Sequence, residues 1–451
     1  MPEENSENTV AASVADTQSP KDNEKDISPG GQETSNIVAE KPQAPPGPAP
    51  PQFADGGRAA WSTVAAGWCC MFVSLGWINS IGVFQTIYEE DQLRNYSSST
   101  IAWINSLQTF IMFGGAPFFG KIFDGYGPRY LLLGGTLFHV FGLMMMSLGK
   151  EYYQFLLAQS ICSGLGASAI FYSSTNSIAT WFKKKRAMAL GIASSGSACG
   201  GVVTPILVAQ MYRKVDFGWA VRTTAFVFLF LLAIANCFLR SALPHKPKPF
   251  HIMDFVNPLK EPRFMLVSMA CFMIFLGVFL PGNFIVLDAV HHGMNGNLAF
   301  YLLAVLNAVS ALGRIIAGRV ADSIGRFNCM IIVNILSTIF VLAFWIPSKT
   351  NAELFVFAAF IGFTSGAFVA MVAAVIGQIS DIRQIGVRNG TNFFCVSFAA
   401  LIGNPIAGAL IERDNGGYLY MQIFSGVCFF VGSSLFIAAR VVQVGPGLKK
   451  I

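Results

Sequence analysis

Apolar residues along this chain come in long blocks, and polar residues come in short ones between them. The blocks run near 61–84, 101–120, 130–149, 153–177, 187–210, 219–240, 264–288, 297–317, 328–346, 353–377, 389–411 and 418–440. Each approaches the ~20 residues with which an α-helix crosses the hydrocarbon core of a bilayer. The pattern predicts an all-α polytopic membrane protein with twelve transmembrane helices. Composition agrees: of 451 residues, 53% are hydrophobic and 12% charged, half the ~25% charge of a soluble domain.

An even number of spans places both termini on one side, and an excess of Lys and Arg marks the cytoplasmic loops. With the termini inside, fifteen basic residues, Lys121, Lys183, Lys184, Lys185 and Arg388 among them, fall in inner loops, against seven at the outer side. The N- and C-termini are therefore expected to be cytoplasmic, and the plasma membrane is the expected location. Asn95-Tyr96-Ser97 then forms an extracellular sequon with Asn95 as the candidate glycosylation site.

Residues 1–57 carry ten acids against three lysines, a net −7 in a chain of net +6, which leaves +13 for the membrane body. The first 50 residues have no apolar block of the kind a signal peptide needs. Their Glu-, Ser- and Pro-rich composition buries too little surface to fold. The expected organisation is an acidic disordered cytoplasmic tail (1–57), an N-terminal six-helix half (58–240), a cytoplasmic linker (241–263), a C-terminal six-helix half (264–440) and a short cytoplasmic tail (441–451). His245 and His251 of the Pro-rich basic linker are expected to be solvated.

The two halves carry one motif twice. "GKIFDGYGPR" (120–129) follows the second block and "GRVADSIGR" (318–326) follows the eighth. Gly120, Asp124, Gly127 and Arg129 match Gly318, Asp322, Gly325 and Arg326, with one residue fewer before the second arginine. A tight helix–helix connection explains either copy alone. Two copies 198 residues apart, at equivalent places in two six-span units, point to the internal duplication of a secondary transporter.

Arg314 lies inside the eighth block, where a charge costs roughly 2.5–3.5 kcal/mol on translocon-based scales. Snorkelling to the inner headgroups or a structural ion pair would each explain it. Asn307 and Ser310, seven and four residues earlier, share its helical face. That makes a polar stripe suited to an internal cavity, and a guanidinium fork pairs with a carboxylate through two hydrogen bonds. No Asp or Glu stands at mid-block depth, Asp288 and Glu353 lying at outer edges. The nine cysteines read as small buried apolar residues, and neither a metal site nor a cofactor is expected. Gly191, Gly196, Gly200 and Gly201 give the fifth block a face without bulk for close helix packing. Lys183 to Arg186 read as a positive membrane anchor. A membrane-embedded enzyme would need a dense polar cluster, and the nearest, His291-His292, lies in an outer loop without a carboxylate partner.

These residues resemble the major facilitator superfamily, whose signature is the paired Gly-x3-Asp-x2-Gly-x-Arg motif. Within it the chain resembles the fungal branch of the monocarboxylate-porter family, through "DGGRAAW" (55–61), "WFKKKRAMALGIASSGSACGGVVTPIL" (181–207), "YLLAVLNAVSALGRIIAGRVADSIGRFN" (301–328) and "GNPIAGALI" (403–411). The resemblance implies the major facilitator fold and alternating access, with Asp124 and Asp322 as gating residues. It also implies that span seven lines the cavity, which makes Asn283, beside Pro281 in "FLPGNF", a substrate contact. Asn79 aligns with a span-one lysine, and Ser310 with an acid, of the proton-coupled relatives, so a weaker dependence on protons is expected.

Substrate binding is thus assigned to Arg314, Asn79, Asn283, Asn307 and Ser310. The function implied is a secondary transporter for a small organic acid or related metabolite. The alternatives are efflux of a fungal secondary metabolite and a non-transporting nutrient sensor. Expected partners are an organic anion or other small metabolite, protons as a candidate co-substrate, and membrane lipid; no nucleic-acid surface is expected.

Overall fold

In the computed structural model, residues 54–445 other than 246, 248 and 250 are described. The acidic tail expected over 1–57 lies outside the described residues except for its last four, as does 446–451.

Spans one to six are Arg58–Gln92, Ser98–Gly114 with Ala116–Tyr126, Pro128–Met146, Tyr152–Trp181, Arg186–Lys214 and Phe217–Phe238. Spans seven to twelve are Pro262–His291, Gly296–Ile324, Arg326–Trp345, Asn351–Gln378, Ile385–Arg413 and Leu419–Val444. Eleven helices among the described residues are long and apolar enough to cross a membrane. The remaining block, near 101–120, is the two-piece span two, interrupted at Gly115.

Proline explains that break and a second one. Pro117 cannot donate to the carbonyl of Phe113, four residues back. The Tyr172 hydroxyl of span four donates to that oxygen instead, at 3.1 Å. Pro281 likewise frees the carbonyl of Gly277, which accepts from Ser425 Oγ of span twelve at 3.1 Å. Span seven accordingly consists of Pro262–Val278 and Leu280–His291, joined at Phe279. In a bilayer such a carbonyl has no water to turn to, so a neighbouring helix must satisfy it.

Several helices outrun their apolar blocks, because the hydrogen-bond ladder ends where a glycine allows φ > 0 rather than where hydrophobicity ends. Gly127 (φ 77°), Gly325 (φ 103°) and Gly445 (φ 78°) are such stops. The duplicated motif is therefore not a loop. Gly120 to Asp124 and Gly318 to Asp322 belong to the last turns of spans two and eight, and the connection is a single glycine in each copy. Span twelve, for the same reason, runs four residues into the expected C-terminal tail.

Each half packs on itself: span one on four, five and six, span seven on eleven and twelve, and span eight on ten. The halves meet along two equivalent pairs, span five on span eight and span two on span eleven. Spans three, six, nine and twelve lie outermost and turn Leu137, Phe230, Ile339 and Phe430 outward, as lipid contact requires. Span four is the polar interior, with Ser168, Ser173, Ser174, Asn176 and Ser177 buried.

Candidate functional site

On the face where span one begins and span twelve ends, each motif aspartate reaches across to the other half. Asp124 of span two accepts from the backbone N–H groups of Gly386 and Val387, at 3.0 Å each, at the start of span eleven. Asp322 of span eight accepts from Ala187 (3.2 Å) and Met188 (2.9 Å) at the start of span five. The first N–H groups of a helix have no partner within it and carry partial positive charge. A carboxylate there is a charge-assisted cap supplied by the opposite half.

The approach is close enough to need glycine. A Cβ at Gly120 would overlap the carbonyl of Gly386, and one at Gly318 would sit 2.5 Å from the Ala187 oxygen. The two copies differ in their arginines. Arg326 bonds Asp322 at 3.1 Å and the Lys183 carbonyl at 2.5 Å, whereas Arg129 is exposed.

Further bonds close the same face. Arg186, expected as a membrane anchor, is instead buried and donates to the Gly377 carbonyl of span ten at 2.7 Å. Asp55 of the Asp-Gly-Gly entry accepts from the N–H groups of Lys183 and Lys184 at 2.7 Å and shapes the turn into span five. A linker helix, Met253–Lys260, lies across both halves. Asp254 pairs with Lys121 of span two, and Glu261 forms a two-pronged pair with Arg388 of span eleven. His245 is not solvated as expected: it is half-buried, 3.3 Å from the Asp124 carbonyl, with its ring against Phe123. Burial lowers its pKa below the ordinary value. His251 is exposed.

Toward the middle of the interface lies the polar stripe of span eight. Arg314 is 5% exposed and does not snorkel; its guanidinium crosses to span five and donates to the Ser194 carbonyl and Ser197 Oγ. Its Nε has no hydrogen-bond partner, and among the described residues no carboxylate pairs with it. Asn79 donates to the Ser197 carbonyl at 3.3 Å. Asn79 and Asn307 both abut Gly201 of span five. Span one, five and eight residues thus converge at one place, as the helical stripe predicts. Ser310 turns aside, its Oγ lying over Gly366 of span ten. Asn283 is also apart, exposed on the outer piece of span seven and bonded to Asn404 of span eleven at 2.9 Å.

Sequence reasoning missed the groups beside this stripe. Ser194 and Thr175 line a cavity of about 20 Å³ between the halves, walled by Met71, Leu75, Phe171, Leu190, Val369 and Phe393. That volume holds about one water, so the halves pack closely at this level. Thr175 Oγ1 has no partner, and neighbouring Asn176 bonds Asn389 of span eleven at 2.8 Å. Phe113 stacks on Phe393 (5.7 Å, 9°), so aromatic side chains also make the join. Unpartnered polar groups among buried aromatics are the one signal that could have marked the region, and only packing reveals it.

His292 does have a carboxylate partner, contrary to expectation. Asp288 lies one helical turn away, 3.4 Å from His292 Nδ1, and is completely buried. Asn95 is exposed in the short connection between spans one and two.

The description Major Facilitator Superfamily matches residues 66–351 and 267–449. MFS-type transporter 1 of Ophiocordyceps sp. (strain BCC 1869) is 49% identical over 401 residues, which are 89% of each chain. The Fujikurins efflux protein of Gibberella fujikuroi is 42% identical over 88% of this chain and 85% of its own length. Among solved structures, the human organic anion transporter MFSD10 (TETRAN) superposes with a TM-score of 0.69 at 16% identity, covering 84% of this chain and 99% of that one. This last likeness is one of fold. With most of its length matched and close relatives across nearly all of it, the chain is a multi-pass membrane protein of the Major Facilitator Superfamily of transporters.

Proposed function

We propose that this protein is a secondary carrier that exports an organic anion or a partly polar metabolite by alternating access. The observation that carries the reading is Arg314. It is a permanent charge buried between the halves, held by a serine hydroxyl and a carbonyl, with Nε unpartnered and no acid beside it. Leaving a guanidinium so incompletely paired is costly, and a carboxylate or enolate entering between the halves would complete its fork. Asn79 and Asn307 meet at Gly201 of span five on the same polar face, with Ser310 and Asn283 as contacts that other conformations would bring in.

Efflux is favoured over uptake of a small monocarboxylate because the Fujikurins efflux protein shares 42% identity over most of this chain. The relatives named above are a transporter and an efflux protein rather than monocarboxylate porters, so the sequence resemblance to that family holds only at the level of the superfamily. The two caps, Asp124 on span eleven and Asp322 on span five, form the gate on the face where span one begins and span twelve ends. The basic asymmetry of the loops orients that face to the cytoplasm of the plasma membrane, with Asn95 outside as a glycan acceptor.

Counterflow of labelled organic anions in proteoliposomes tests the reading. Arg314→Lys should keep charge and insertion yet lose most transport, because a point charge cannot reproduce the fork. Arg314→Gln should lose nearly all of it for an anionic substrate. Near-normal rates in both variants would return Arg314 to a structural role.

A further inference from the structure

The described residues include one buried carboxylate side chain, and the carrier mechanism above does not use it. Asp288 is 0% exposed, on the outer piece of span seven, Leu280–His291. Two neutral donors hold one of its oxygens: Trp345 Nε1 of span nine at 2.8 Å and Gln422 Nε2 of span twelve at 3.3 Å. The other oxygen, Oδ1, accepts no hydrogen bond. It faces His292 Nδ1 at 3.4 Å, and that ring is 29% exposed and also lies 2.9 Å from the Asp288 carbonyl. The ionisable groups acting on Asp288 are His292 and His291 from its own helix and Tyr418 from the start of span twelve, whose ring meets His291 at 5.6 Å.

We propose that Asp288 is a proton-binding site, filled from the surface through His292, and that its protonation releases the outer piece of span seven. An ionisable group buried in a membrane span and open on one oxygen is a site by its cost alone. His292 is the partly exposed imidazole able to pass a proton between water and Oδ1. Once Oδ1 carries the proton, the bonds from Trp345 and Gln422 become neutral–neutral and lose about half their strength. Those two bonds tie the outer piece to spans nine and twelve. The piece starts at the break at Phe279 and carries Asn283, bonded to span eleven. Loosening it frees the side of the molecule opposite the aspartate gate. Protons thereby become a ligand of this chain. The proposal stands whether or not the exported solute is an anion.

Trp345 reports the event directly. In purified full-length protein in nanodiscs, tryptophan fluorescence should change as pH falls from about 8 to about 5 and the buried Asp288 carboxylate takes up its proton. Hydrogen exchange over 280–291, corrected for its intrinsic pH dependence, should rise in parallel. Asp288→Asn should abolish both responses. His292→Gln, which leaves the carboxylate in place, should retain them but slow the fluorescence change after a pH jump. Identical fluorescence and exchange profiles in wild type and Asp288→Asn would overturn the proposal, as would an unchanged jump rate in His292→Gln. None of these measurements requires transport, so failure of counterflow would count against the exporter reading alone.

Discussion

Replacing Asp124 by Asn isolates what one interhelical cap contributes. The carboxylate accepts two N–H bonds, both 3.0 Å, at the first turn of span eleven. Bonds to a charged group contribute about 1.5–3 kcal/mol each, against about 0.5–1.5 for neutral ones. Asn offers one acceptor oxygen and turns its amide hydrogens toward the second donor, and it loses the helix-dipole attraction of about 0.3–1 kcal/mol. Asp124 is only partly buried, which favours the lower ends of these ranges. The closed face then loses about 2–3 kcal/mol, and at 1.4 kcal/mol per tenfold the closed-to-open ratio falls roughly 30- to 150-fold. Spin labels at Tyr126 of span two and Arg319 of span eight, both exposed, measure the separation of the halves on that face. The label study needs a background without the exposed Cys237. Pulsed dipolar spectroscopy should find a longer-distance population that is minor in wild type and dominant in Asp124→Asn. Superimposable distance distributions would refute the idea that the cap holds the face closed.

Three further outcomes follow from the packing. Gly191→Ala would press a Cβ onto the Arg314 carbonyl, an overpacking of about 1–3 kcal/mol confined to the closed state; the same label pair should open, and an unchanged distribution would contradict it. Ser425→Ala should remove the interhelical donor to the Gly277 carbonyl and leave it only the bond from the Phe279 N–H, costing about 0.5–1.5 kcal/mol and lowering the melting temperature. Pro281→Ala in that background should recover part of the loss by restoring the i→i−4 donor, and strict additivity of the two changes would rule the arrangement out. His245, whose pKa burial lowers, docks as the neutral ring, so its contribution is present above its ordinary value of about 6.5 and fades as pH falls through that value. Hydrogen exchange over 120–129, compared at about pH 7.5 and about pH 5.5 with the intrinsic rate removed, should increase on acidification in wild type and not in His245→Gln.

Much of the architecture was legible because the membrane leaves few alternatives. An apolar block of sufficient length must be a helix, and twelve of them follow from counting. The duplicated Gly-x3-Asp-x2-Gly pointed to two halves, and the family resemblance, not the spacing, implied a gating role for its aspartates. Its placement in a loop was mistaken, since hydropathy ends before hydrogen bonding does. Arg314, Asn79 and Asn307 were found together because helical periodicity and a family alignment each carry position. Ser310 and Asn283 were named on the same grounds and stand elsewhere, because a face of about 100° can meet two neighbours and a kink re-aims the side chains beyond it.

The residues that no sequence pattern isolated are those whose meaning depends on a partner in another span. Asp288 reads as an edge residue until Trp345 and Gln422 enclose it. Arg186 looks like one more basic anchor until the Gly377 carbonyl receives it, 191 positions away. Thr175 and Asn176 are two polar residues in a small-residue helix until span eleven closes over them. By itself, the sequence determined the number of spans, their duplication and the chemistry available at the interface, because hydrophobic length, backbone stops and charge are local properties. Tertiary structure alone decided which carboxylate caps which helix, which charge is left incompletely paired and which acid is sealed from water. Those depend on bonds between helices far apart in the chain, and in lipid every such bond must be found within the protein.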